Sequence, residues 1–115
     1  MNVTRTAPHK TAHVNALLST SSSGDNTVVA AITNAKIRVL SVAVVATLAN
    51  VVTFKSGAST AISAAFPLGA NGGIVLPFNE HGWFETATGE ALVINMGTAT
   101  ATGVQVQYIR IPQSV

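Results

Sequence analysis

From residue 25 onward the chain alternates between apolar and polar positions in short runs, each closed by Gly, Asn, Ser or Pro. A period near two is the repeat of a pleated strand with one face buried. The turn residues arrive at the ~8–12-residue spacing of sandwiches and barrels. Eight strands are predicted, over 27–32, 36–46, 50–55, 60–68, 74–78, 83–86, 91–96 and 104–111. Val, Ile and Thr dominate them, as a half-buried pleated surface prefers. No run of adequate length carries a 3.6-residue period between helix caps. The alanine-rich stretch 60–65 is compatible with helix by propensity alone. Pro67 and Pro77 assign their strands to an edge or a bend, because proline lacks the N–H a ladder needs.

The faces of these strands differ. In 91–96, Leu92, Ile94 and Met96 share one side, a half-buried pattern. In 36–46, Ile37 and Val39 oppose Lys36 and Arg38, but Leu40, Val42 and Val44 then continue the charged side. Either a bulge shifts the phase or both faces are buried. In 104–111, Val104, Val106 and Tyr108 oppose Ile109 and Ile111. A sandwich strand buried on both faces needs a cover from outside its domain. Leu40, Val42, Val44, Ile109 and Ile111 are therefore expected at an intersubunit interface. Lys36 and Arg38 are expected either to pair with a neighbour's carboxylates or to line a solvated strand edge.

Residues 1–23 read differently, with two of the three histidines, Pro8, and a Ser/Thr/Gly run before Asp25. The division expected is an extended N-terminal arm over 1–23 and a β-sandwich over 24–115. Residues 13–18 have apolar content for one short strand, so Val14, Leu17 and Leu18 are the predicted arm contacts. A tail without structure is the alternative.

Composition sharpens the picture of an interface. Apolar residues make up 48 % of the chain, but Asp, Glu, Lys and Arg only 9 %, against roughly 25 % in ordinary soluble domains. A monomer of this size exposes about 5,900 Å², so each charged side chain has ~590 Å² to itself, against ~200 Å² at average composition. So thinly charged a surface calls for cover, and copies of the same chain are the commonest cover. A net charge of +2, with Lys36/Arg38 and Arg5/Lys10 as the closest basic pairs, gives no footprint for nucleic acid. Residues 37–49 are apolar but too short and too β-branched to span a membrane. The N-terminus lacks the apolar run of a secretion signal. There is no cysteine, so disulfides play no part.

Catalysis is not expected. No Gly-x-Ser-x-Gly elbow occurs, and the carboxylates are Asp25, Glu80, Glu85 and Glu90. The densest polar and aromatic patch is Glu80-His81-Gly82-Trp83-Phe84-Glu85. It reads as core plus rim, as a sugar platform on Trp83 with Glu80 and His81, or as a metal site with at most three ligands where three or four are needed. Gly72-Gly73 reads as a turn and not a phosphate cradle, because no lysine or helix start follows. Neither a cofactor nor a metal is predicted.

Six fragments in order carry a resemblance: 23–27 (SGDNT), 36–40 (KIRVL), 54–57 (FKSG), 70–74 (ANGGI), and 82–86 (GWFET) with 89–92 (GEAL). Together they resemble a family of small tailed-bacteriophage virion structural proteins, over about residues 23–97. The resemblance implies a jelly-roll-like β-sandwich that trimerises and binds the outside of a capsid as a decoration, or cement, protein. Its partners would be copies of itself and the major capsid protein, and its location the virion exterior after synthesis in the host cytoplasm. The fold expected is thus all-β, an eight-stranded antiparallel β-sandwich with jelly-roll connections. A tail- or fibre-associated receptor- or carbohydrate-binding module is the rival reading.

Overall fold

A computed structural model describes residues 12–113. Among them there is no helix, and ten strands form two antiparallel sheets. The strands are β1 (Val14–Thr20), β2 (Gly24–Val29), β3 (Ala35–Ala46), β4 (Asn50–Ser56), β5 (Thr60–Ala61), β6 (Phe66–Leu68), β7 (Gly73–Leu76), β8 (Phe84–Glu85), β9 (Leu92–Met96) and β10 (Thr102–Pro112). The first sheet runs β1-β10-β3-β7, with β8 also on β3; the second runs β2-β9-β4-β5, with β6 also on β4.

The core lies between the sheets and follows the alternation of the sequence. Ile37, Val39, Val42, Val44, Val104 and Val106 enter it from the first sheet, and Val52, Phe54, Leu92, Ile94 and Met96 from the second. Phe54 stacks on Phe84 across the gap at 5.1 Å between ring centroids. Two buried polar side chains tie neighbouring segments together. Asn50 accepts from the N–H groups of Val51 and Thr98, both at 2.9 Å, tying the start of β4 to the turn after β9. Thr86 Oγ1 accepts from Ile37 N–H at 3.0 Å.

Leu40 resolves the phase problem in β3. Tyr108 pairs with Val39 and Gln107 with Ser41, which leaves Leu40 as the extra residue of a β-bulge. Inward positions are 37 and 39 before it and 42, 44 and 46 after it. The other face of β3 is thus Lys36, Arg38, Ser41, Ala43 and Val45. Leu40, Val42 and Val44, expected at an intersubunit interface, are instead buried in the protomer's own core region, each no more than 2 % exposed. In β10 the alternation is unbroken, and Ile109 and Ile111 sit on the outer face, half-buried opposite Arg38 and Lys36.

Two further expectations change. The single strand over 60–68 is two short ones, because residues 62–65 bulge outward opposite Thr53 and Phe54. Ser63 holds that excursion: its hydroxyl accepts from Phe54 N–H at 2.8 Å, a bond the ladder would otherwise supply. The arm assignment also fails for the part of 1–23 that is described. Residues 14–20 are β1, paired along their whole length with β10 from Val14↔Tyr108 to Thr20↔Thr102. Ala16 and Leu18 pack against the core from this strand, which satisfies both its backbone and its apolar side chains better than an extended arm would. Residues 1–11 lie outside the described residues.

Candidate functional site

The bulge at Leu40 also splits the neighbour of β3. β7 pairs with residues 42–45 and β8 with 38–39, and the intervening chain loops out at the break. Asn79 N–H donates to Leu40 O at 2.9 Å and Trp83 N–H to Val39 O at 2.8 Å, which pins the loop at both ends. This is how Phe78, Glu80, His81 and Trp83 come to the surface together. Glu80 and His81 are the most open, with side chains 77 % and 86 % exposed and 3.9 Å apart. Trp83 is 41 % exposed, and its indole N–H is already used by Pro77 O at 2.8 Å. The ring therefore offers a partner its apolar surface and no donor. It borders a groove of about 320 Å³ between the sheets, lined also by Ile62, Phe66, Leu76 and Phe84. His13 lies 5.7 Å from Phe78, ring to ring, at the same end.

Beside the loop, Lys36 and Arg38 find their partner within the chain. Arg38 Nε reaches Glu85 Oε1 at 3.0 Å and Lys36 Nζ reaches Glu85 Oε2 at 3.5 Å. Gly82, at φ +83°, lies under the Arg38 side chain; a Cβ there would come within 2.5 Å of Arg38 Cγ. The glycine of the Gly-Trp-Phe-Glu-Thr run thus lets arginine lie flat and hold Glu85.

The outer faces of the two sheets differ in kind. On the second sheet, Asp25 accepts from Asn95 Nδ2 at 2.7 Å and from Lys55 Nζ at 3.1 Å. The amide bond first, and then the lysine, hold the Asp25 carboxyl below its ordinary value near 3.8. On the first sheet, the half away from Glu85 has no charge. Its registered rows are Asn15-Gln107-Ser41, then Leu17-Gln105-Ala43-Val75, then Ser19-Gly103-Val45-Gly73. Leu17, Val45 and Val75 stand out from it at 71 %, 56 % and 69 % exposure. Between them the small residues Ser19, Gly103 and Ala43 help to line a hollow of about 330 Å³. Gly73 allows the close approach of β7, since a Cβ would strike the carbonyl oxygen of Val44.

Of the predicted arm contacts, Leu18 turns into the core, Val14 lies on the same inward face opposite Tyr108 but near the open end of the sheet, and Leu17 faces out. The sequence reading missed Ala43, Val45 and Val75. A bulge in 36–46 moves the outward set from 42 and 44 to 43 and 45, and its position is fixed only by the pairing with β10. Among the described residues no three His, Asp or Glu side chains come together as metal ligands.

Comparisons with protein-family models and with curated proteins match nothing to this chain. Among solved structures, it is similar to a protein from work on Bacillus endospore appendages described as a novel family of disulfide-linked pili, at a TM-score of 0.48 and 16 % identity, over 99 % of this chain and 100 % of that one. At that level the likeness bears on neither role nor assembly.

Proposed function

We propose that this chain is a bacteriophage virion structural protein, a capsid decoration (cement) protein that trimerises and stabilises contacts between major capsid subunits, and that it has no catalytic role. The observation that carries the proposal is the segregation of charge. One sheet carries an ion-paired outer face, while half of the other has no charge and sets Leu17, Ala43, Val45 and Val75 among uncharged Asn, Gln, Ser and Gly. A surface built this way suits burial against protein, and the resemblance over residues 23–97 names the setting. Jelly-roll connections are part of the same reading. They are supported by the orders β1-β10-β3-β7 and β2-β9-β4-β5, in which the chain crosses between sheets at six of its nine connections. Each contact on the shell would be modest, and multiple copies would multiply the gain.

Immunogold labelling of virions with antibody to the purified chain tests the proposal. Label spread over the shell is the expected result; label confined to the tail, or none on particles, overturns it.

A tail- or fibre-associated receptor- or carbohydrate-binding module is the second reading, favoured by the half-exposed Trp83 beside its groove. Under that reading Trp83 fluorescence shifts or quenches when glycans are added. Under the cement reading it does not respond.

A further inference from the structure

We propose that the uncharged outer face of β1, β10, β3 and β7 is where this chain packs against a second copy of itself. The inference rests on the self-assembly proposed above and assigns it a surface.

Three observations select the occupant. The first is electrostatic. Three successive rows across the sheet carry no Asp, Glu, Lys, Arg or His, whereas the Asp25–Lys55 pair sits on the opposite sheet and the Glu85 cluster at the far end of this one. A charged partner would bring ions to a face with nothing to pair them, and buried unpaired charge is costly. The face of another copy brings none.

The second is shape. Leu17, Val45 and Val75 project, and the hollow over Ser19, Gly103 and Ala43 lies between two of them. Knob and hollow are both present on one chain, so the knob of one copy can seat in the hollow of the next. Leu17 is on the edge strand β1, so it can reach sideways onto the Ala43–Val75 row of the next copy. An edge-on-face contact of this kind is heterologous and forms a ring where its rotation closes.

The third is area. Four strands at ~4.8 Å and three rows at ~6.8 Å give a footprint of about 400 Å². Extension along β10 through Ile109 and Ile111 brings it to roughly 600 Å², approaching the ~800 Å² one partner gives to a standard interface. The ions met on that extension, Lys36 and Arg38, are already paired with Glu85.

Light-scattering mass of the full chain tests this with three variants: Val45→Lys and Val75→Lys on the face, and Thr27→Lys on the exposed outer side of the second sheet. Circular dichroism and Trp83 emission check that each is folded. The expected result is a multiple of 11.7 kDa for the parent and Thr27→Lys, and 11.7 kDa for both face variants. Val75, 69 % exposed on a four-residue strand, tolerates lysine even if Val45 does not. A parent oligomer that survives both face substitutions overturns the face while leaving self-assembly standing. A parent that stays at 11.7 kDa at high concentration overturns self-assembly, and this inference with it.

Discussion

Asp25 shows how much a single side chain contributes on the polar sheet. Its carboxylate accepts from Asn95 and Lys55 and binds β2, β9 and β4 together. Because its folded pKa is lowered, the stabilisation is complete above the ordinary value near 3.8 and is lost as pH falls through the lower folded value. The site is open to solvent, so the neutral-pH contribution is at most about 1 kcal/mol. Asp25→Asn is expected to leave neutral stability nearly unchanged and to flatten the fall in Tm below pH 4; an unaltered acid limb would remove this carboxylate from the account. Gly82 makes a sharper case. Alanine there meets both a positive φ and the Arg38 stem. Gly82→Ala should cost about 1–3 kcal/mol in denaturant unfolding, from strain and a displaced ion pair.

At the scale of elements, what the sequence made legible was periodicity, and what it hid was phase. Each predicted run overlaps strand, although 60–68 divides into β5 and β6 and 27–32 covers only the end of β2, because alternation and turn residues are local signals. The bulge at Leu40 is fixed by pairing with β10, a partner more than sixty residues away, and no local signal marks which residue is the extra one. That one-residue slip inverted the reading of Val42 and Val44, as a register shift must. β1 was obscured for another reason. A strand of Val, Asn, Ala, Leu, Leu, Ser and Thr beside a serine run has the composition of a linker, and its membership of the sheet comes from the seven pairs it makes with β10. The Trp83 loop was legible as a patch, but its exposure follows from the same bulge. Two outcomes separate these readings. Val42→Asp puts a carboxylate in the core and should unfold the sandwich, costing several kcal/mol. Deletion through Thr20 should lower Tm by uncovering Val104 and Val106, seen as an earlier melt by circular dichroism. A truncated chain with the parent's Tm would return β1 to the status of an arm.

For the molecule as a whole, the decisive property is where its few ions are. Lys36 and Arg38 share Glu85 at one end, Lys55 pairs with Asp25 on the other sheet, and the outer face of the first sheet from Ser41 onward is left to apolar and uncharged polar groups. Assembly through that face, as proposed, would be driven by removal of apolar area from water, a force with no Coulomb component to screen. In about 1 M sodium chloride the Debye length falls to about 3 Å, which dissolves contacts held by exposed ion pairs. Here the oligomer mass should be unchanged between low salt and about 1 M, and sulfate should tighten assembly by favouring burial. Sedimentation velocity across a sodium chloride series and a sodium sulfate series measures both. Dissociation as chloride rises would locate the contact at the charged end around Glu85 and not on the bare face. Tightening in sulfate with indifference to chloride is the signature of a surface held by Leu17, Val45 and Val75.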